Sequence, residues 1–159
     1  MYTKQDIIKQ LDSLGVPRDK IVMMHTSYRK VGDFEGGPTA FLDALIEYFT
    51  SEGGLFCIPT HTWGLLGKSS LTLDMTEKYT NLGLIPRLAL ERGDGVRSEN
   101  PTHSVIVFGD RKKALEFIEG INFIYLLRAF WEDKYREKQK LWARSKDRNP
   151  RYCPKRLYL

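Results

Sequence analysis

The spacing of apolar residues along the chain predicts four helices. In each of them hydrophobic positions recur every three or four residues, as expected for a helix that buries one face. Thr3 is a suitable N-cap for the first helix, and Pro38 opens the second. Asn81 is the predicted cap of the third helix, and the fourth runs from Asp110 to Gly120. The apolar positions are, in order, Ile7, Ile8, Leu11 and Leu14; Phe41, Leu42, Leu45, Ile46 and Phe49; Leu84, Ile85, Leu88 and Ala89; and Ala114, Leu115 and Ile118.

Three short apolar runs, at residues 21–24, 55–58 and 105–108, predict strands. Each is too short for a buried helix, and the last is β-branched and ends at Gly109. Because these runs alternate with the helical segments, the pattern favours an α/β fold. We therefore expect a mostly parallel sheet with flanking helices.

All three histidines of the chain stand next to the predicted strands. His25 and His61 follow the first and second strands, whereas His103 precedes the third, and hydroxyl residues flank each of them. In a parallel sheet the strand ends gather at one edge, where open α/β sheets bind ligands, so we expect the imidazoles to converge there. An imidazole titrates near pH ~6.5, which makes His103 a candidate general base. A structural histidine is the alternative, and a zinc site has only weak support because no pair has ligand spacing.

The loops between these elements carry further candidates. Residues 26–37 are glycine-rich and precede a helix, which is typical of an anion site, although the spacing fits neither a dinucleotide nor a Walker motif. Residues 64–81 are polar and predict a long functional loop. Trp63 is interpreted as a core residue or as an aromatic wall for a ligand. Arg97 suits a phosphate or carboxylate, or a surface salt bridge.

The positive charge of the chain is concentrated at its C-terminal end. Residues 121–159 contain eleven Lys and Arg against four Asp and Glu, a net charge of +7, whereas residues 1–120 contain fourteen against sixteen, a net charge of −2. The mildly acidic body suits a polycationic substrate. A basic tail can bind nucleic acid, but no base-reading motif accompanies this one, so a nucleic-acid partner is disfavoured.

Composition predicts a cytoplasmic protein of one domain. No apolar run approaches the ~18 residues of a membrane span, and the first residues do not form a signal peptide. Cys57 and Cys153 suggest no disulfide framework. We therefore expect no membrane partner, and a homodimer is left open.

Four stretches of the sequence resemble the aminoglycoside 3-N-acetyltransferase family. They occur in the family's order and spacing and together cover roughly residues 5 to 120. The fold that the resemblance implies is a three-layer α/β arrangement, present here as an incomplete version. The stretches are Met24-His25-Thr26-Ser27 with Val31-Gly32 and Gly36-Gly37; Ile58-Pro59-Thr60-His61-Thr62-Trp63; Gly83-Leu84-Ile85-Pro86; and Gly95-Val96-Arg97-Ser98 leading into Pro101-Thr102-His103-Ser104-Val105.

The resemblance implies transfer of an acetyl group from acetyl-CoA to the 3-amino group of an aminoglycoside or a similar amine. His103 would be the general base. Asp74, nine residues before Gly83, matches the offset of an acidic residue near the family's substrate, although a loop aspartate in solvent is the alternative. The reaction that the resemblance implies uses no metal. The residues that the resemblance assigns to coenzyme A are His25, Thr26, Ser27, Gly36, Gly37, Thr60, His61, Arg97 and Ser98.

The resemblance stops near residue 120, which divides the chain into an acetyltransferase part, 1–120, and a divergent basic tail, 121–159. The tail is interpreted as a helix face at Tyr125-Leu126-Leu127-Phe130-Trp131 followed by a basic helix that ends near Asn149-Pro150, or as disordered. We also hypothesise that it is the out-of-frame end of a longer gene, which the nucleotide sequence tests. Because residues 121–159 do not resemble the family, an alternative is that the chain is a truncated, catalytically inactive remnant that at most binds coenzyme A.

Overall fold

The computed structural model describes residues 1–63, 78–100 and 103–122. Residues Met1–Glu119 form one compact unit, and the second unit, Gly120–Leu159, lies almost wholly outside the described ranges. The division into an acetyltransferase part and a tail stays a prediction. The helices are α1 Lys4–Ser13, α2 Tyr28–Val31, α3 Gly37–Thr50, α4 Leu84–Arg92 and α5, residues 111–122; the strands are β1 Ile21–Met23, β2 Leu55–Pro59, β3 Val96–Arg97 and β4 Val105–Phe108.

The described strands form a sheet in the order β1-β2-β4-β3. The α/β class with flanking helices is confirmed, but the expectation of a mostly parallel sheet is corrected. Only β1 and β2 are parallel, whereas β4 runs antiparallel to both β2 and β3. A fully buried strand is an uninterrupted apolar run in either direction, so its sequence does not indicate which way it runs. Strand β3 has two half-buried residues and no apolar run, which is why it was not predicted.

The core lies between the sheet and helices α3 and α4. Phe56 and Ile58 of β2 pair with Phe108 and Ile106 of β4, and all four side chains join the buried cluster on this face. The Phe56 ring stacks on Phe49 of α3 with a centroid separation of 4.9 Å. On the opposite face, residues such as Cys57 and Val107 are also buried, as a three-layer arrangement requires. The predicted inner face of α3 is confirmed, with Ile46 at its half-buried margin.

Helix ends show where local signals succeed and fail. Thr3 caps α1 in a capping box, in which its Oγ1 accepts from Asp6 N and its own N–H donates to Asp6 Oδ2. The predicted cap Asn81 is wrong, since α4 begins after Gly83. Asn81 instead donates its backbone N–H to the carbonyl of His61 at 2.9 Å. Helix α5 runs through residue 122 rather than closing at Gly120. Within the described ranges, no helix combines the length and apolar character that crossing a membrane requires.

Candidate active site

Two imidazoles meet where β2 ends and β4 begins. Pro59 and Val105 are register partners on these antiparallel strands. His61 lies two residues beyond Pro59, and His103 lies two residues before Val105, so the reversal of β4 brings both side chains to one edge. Their ring centroids are 4.9 Å apart. The expected meeting of these two histidines is therefore observed, but an antiparallel pair produces it and not a parallel sheet.

Trp63 completes an aromatic group with the two histidines. Its ring centroid lies 5.0 Å from that of His61, and its Nε1–H donates to Nε2 of His103 at 3.3 Å. The indole is 46% exposed, so the interpretation as a core residue is wrong. Of the two alternatives for Trp63, the position fits the aromatic wall beside a ligand.

The environment of His61 favours its neutral form. Burial lowers the pKa of His61, and the nearby imidazoles of His103 and His25 lower it further because a second positive charge would be repelled. Its Nδ1 atom is buried and has no hydrogen-bond partner within the described part of the chain. We therefore expect a neutral ring at pH 7, which can stand next to an imidazolium at His103 at a lower electrostatic cost than a charged ring.

A group of buried hydroxyls fixes the strand ends that carry these histidines. Thr60 N donates to Ser104 O at 2.7 Å, and Ser104 Oγ lies 2.8 Å from Thr60 O and 2.9 Å from Thr60 Oγ1. Ser98 Oγ accepts from Val105 N at 3.0 Å. Thr60, Ser98 and Ser104 are each 1% exposed or less. The structure therefore buries the side chains of Thr60 and Ser98 at the strand ends next to the histidines, and their assignment to the coenzyme stays a prediction.

Arg97 ties a neighbouring segment to the same hydroxyl group. Its guanidinium donates to Ser104 Oγ from Nε at 3.3 Å and from Nη2 at 3.2 Å. Nη2 also lies 3.4 Å from Thr60 O and 3.3 Å from Tyr79 O. The half-buried cation therefore contacts the chain on both sides of His61, and its binding of a phosphate stays a prediction.

Two clefts that share Thr26 and Ser27 open beside β1. His25 and Pro59 help to line the smaller cleft, of about 280 Å³. The larger, of about 540 Å³, is bounded by Arg29, Gly83 and Leu84. Ser27 and Gly83 are the N-cap residues of α2 and α4, and neither helix start has a side-chain cap.

Free backbone N–H groups at helix starts attract anions, and Arg29 adds a cation to the larger cleft. The pattern of apolar residues missed Arg29. The available signal was a basic residue within the glycine-rich loop, two positions after Ser27.

The other predicted site residues do not join these clefts. Gly36 and Gly37 begin α3 with φ of 74° and 75°, a left-handed conformation that favours glycine, and they line neither cleft. Asp74 lies outside the described residues. Within the ranges that are described, no group of three or more His, Cys, Asp and Glu side chains could hold a metal ion.

Comparison with known proteins identifies similar chains. The aminoglycoside 3-N-acetyltransferase family model matches residues 23–125. The SPbeta prophage-derived aminoglycoside N(3')-acetyltransferase-like protein YokD of Bacillus subtilis (strain 168) is 25% identical over 132 residues, which cover 71% of this chain and 48% of the relative. Aminoglycoside N(3)-acetyltransferase III of Serratia marcescens is 27% identical over 124 residues, which cover 69% and 46%. The chain thus spans about half the length of these relatives.

Solved structures show the same fold. The apoenzyme of aminoglycoside acetyltransferase AAC(3)-IVa matches with a TM-score of 0.62 and 25% identity over 74% of this chain and 44% of that one. The binary complex of AAC-IIIb with CoASH matches in fold with a TM-score of 0.57 and 18% identity, covering 69% and 46%. Because the family model matches well over half of the residues, the chain belongs to the aminoglycoside 3-N-acetyltransferase family.

Proposed function

We propose that this chain carries an acyltransferase site that moves an acetyl group from acetyl-CoA to the 3-amino group of an aminoglycoside, with His103 as the general base. The observation that carries the proposal is the meeting of His103, His61 and Trp63 at one edge of the sheet. Membership of the family supports it, as do the relatives named for this reaction.

The proposed chemistry starts with the protonated amine. An ammonium has no lone pair, so a base must remove a proton before nitrogen can attack the thioester carbonyl. Nε2 of His103 takes that proton and releases it to solvent, which leaves a neutral amine. As the amine nitrogen attacks, the C–N bond forms and Nε2 takes a second N–H proton. The C–S bond then breaks and the imidazolium gives this second proton to the departing sulfur, so the products are the amide, coenzyme A and one proton in solvent. A positioned general base of this kind contributes roughly 10²–10⁴-fold to the rate.

Neighbouring residues support this step. Neutral His61, 4.9 Å from His103, adds no second charge when the base becomes an imidazolium. The exposed face of Trp63 forms a wall on which an amino sugar can pack. Asp74, outside the described residues, is proposed to orient the His103 ring or attract the amine.

For the coenzyme we propose the two clefts beside β1. Thr26 and Ser27 line both clefts, and His25 lines the smaller one. The start of α4, which has no side-chain cap, and Arg29 provide the donors that phosphates prefer. The CoASH complex of a structure with the same fold is consistent with this ligand class. Gly36 and Gly37 stay proposed points of close backbone approach. Arg97, Thr60 and Ser98 are proposed to support the site indirectly. Their hydrogen bonds hold together the sheet edge at which the thioester would bind.

A second candidate is a chain that binds coenzyme A without transferring the acetyl group. It is favoured by the two clefts beside β1, because neither His103 nor Trp63 lines them. A coenzyme can therefore occupy the clefts whether or not the histidine site transfers the acetyl group.

The experiment that separates these candidates follows thiol release from acetyl-CoA with and without a kanamycin-like amine. Amine-dependent release that falls at least 10²-fold in His103→Ala, but not in the surface variant Lys112→Ala, supports catalysis. Cys57 adds little background, because burial raises the pKa of its thiol to about 12. Calorimetric binding of coenzyme A with no release supports the second candidate, and neither binding nor release contradicts both.

A further inference from the structure

Trp63 makes a directional contact with the proposed base. Its indole Nε1–H donates to Nε2 of His103 at 3.3 Å, and the two rings are inclined at 62° with centroids 6.1 Å apart. An indole nitrogen is a donor only, so the imidazole nitrogen that receives it must present a lone pair. The contact therefore reports on the protonation of His103 as well as on its position.

We propose that Trp63 is a positioning residue that holds neutral His103 in the Nδ1–H tautomer, with the lone pair on Nε2. A neutral imidazole carries one N–H and one lone pair, so an acceptor at Nε2 requires the proton at Nδ1. The indole thereby selects which ring nitrogen is the base before any substrate arrives. This inference rests on the proposed function, in which Nε2 of His103 removes the proton.

Two further contacts restrict the positions of the His103 imidazole and the Trp63 indole. The backbone N–H of His103 donates to Asn100 Oδ1 at 2.7 Å, which holds the residue just before β4. Trp63 also packs on His61, whose centroid lies 5.0 Å away, so the indole contacts both imidazoles at once. These contacts fix the position of the base and the direction from which Nε2 receives a donor.

The same contact provides an exchange of donors during the reaction. An ammonium N–H that approaches Nε2 replaces the indole N–H as the donor to one lone pair, and Trp63 is 46% exposed. When the proton transfers, Nε2 becomes an N–H and can no longer accept from Trp63. The indole N–H can donate again each time the ring has lost its proton, first to solvent and finally to the departing sulfur.

The test is the tautomer, measured by nitrogen NMR on the full chain labelled with ¹⁵N-histidine. Spectra are recorded at about pH 8, where an ordinary imidazole is neutral, and His103 is assigned from a His103→Gln variant. In the native chain we expect a protonated Nδ1 and an unprotonated Nε2. In Trp63→Phe, which keeps an aromatic ring without the N–H, we expect the preference to be lost.

A second arm does not depend on the folding of Trp63→Phe. The indole N–H proton of Trp63 is followed in the native chain and in His103→Phe, where an upfield shift is expected because the acceptor is gone. An Nε2–H tautomer in the native chain, or unchanged spectra in both variants, would overturn the inference. The tautomer is measurable without turnover, so its failure and the failure of the proposed acetyl transfer are distinguishable.

Discussion

At the scale of single residues, His61 shows how burial and neighbouring charge act together. Its Nδ1 is shielded and unpaired within the described part of the chain, and His103 lies 4.9 Å away. Both effects disfavour the charged ring and lower its pKa. A neutral His61 beside the proposed base His103 suits a mechanism with a single base, because it adds no charge when His103 takes a proton.

The lowered pKa of His61 predicts a pH-dependent stability. The unfolded chain binds a proton near pH ~6.5, whereas the folded chain resists it, so this stability is complete above that pH and is lost as the pH falls toward the lowered pKa. Urea unfolding at about pH 8 and about pH 5.5 measures the change. The native chain should lose more stability than His61→Gln over this interval, and equal losses would contradict the assignment.

At the scale of elements, the edge of the sheet depends on buried hydroxyls that link β2, β3 and β4. Ser98, directly after β3, accepts from the first backbone N–H of β4, and Ser104 bonds to Thr60 just beyond β2. Pairing stabilises polar groups this deeply buried, because an unpaired one costs more than a hydrogen bond contributes. These bonds therefore hold together the sheet edge next to which His61 and His103 lie.

Removing the Ser98 hydroxyl should loosen that edge. In Ser98→Ala the backbone N–H of Val105 loses its acceptor, which costs about 1–3 kcal/mol in the free energy of unfolding. The matched control is Ser13→Ala, at the exposed end of α1, which should change the free energy by less than about 0.5 kcal/mol. Chemical denaturation measures both, and equal effects would contradict the structural role of Ser98.

The packing of the helices gives a second prediction at this scale. Leu42 of α3 is 0% exposed. Leu14, at the end of α1, is 76% exposed, although it continues the apolar spacing of Ile7, Ile8 and Leu11 in that helix. Leu42→Ala should cost about 2–5 kcal/mol, and Leu14→Ala less than about 0.5 kcal/mol. Thermal or urea unfolding of the two variants compares one chemical change in two environments. Similar losses would contradict the described packing.

At the scale of the whole molecule, the proposed coenzyme clefts and the proposed base lie on one sheet edge. His25 and Pro59 line the same cleft. Pro59 is also the register partner of Val105, the first residue of β4. Ligand binding at this edge should therefore stabilise the folded chain as a unit. A ligand at a hundredfold excess over its Kd contributes about 2.7 kcal/mol.

Coenzyme A should raise the thermal unfolding midpoint, and Arg29→Ala should reduce that rise, because Arg29 lines the larger cleft. The matched control is Arg87→Ala, since Arg87 is exposed on α4 beside Glu91. Pantetheine, which lacks the phosphates, separates the anion contacts from the rest of the ligand. A rise that is equal in native chain and Arg29→Ala would exclude Arg29 from phosphate binding.

The sequence by itself determined most of the elements, with the exception of α2 and β3, as well as much of the core and the identity of the candidate residues. Helical spacing identified the buried face of α3, continuous apolar runs identified β2 and β4, and positions next to the predicted strands identified the histidines. These are local properties, because periodicity and short motifs reflect what each segment buries or presents. Capping residues were predicted less reliably. Thr3 is the N-cap of α1 as predicted, whereas Gly83 and not Asn81 is the N-cap of α4.

Only the tertiary structure decided the direction of β4 and the surroundings of each side chain. An apolar strand buried on both faces reads alike in both directions. Only the pairing of β4 with β2 therefore shows that His103, two residues before β4, lies at the same edge as His61, two residues after β2. Pairing also placed Trp63 on His103 and buried Thr60 and Ser98. Contacts between residues some forty positions apart depend on how the strands pair, which no local pattern contains.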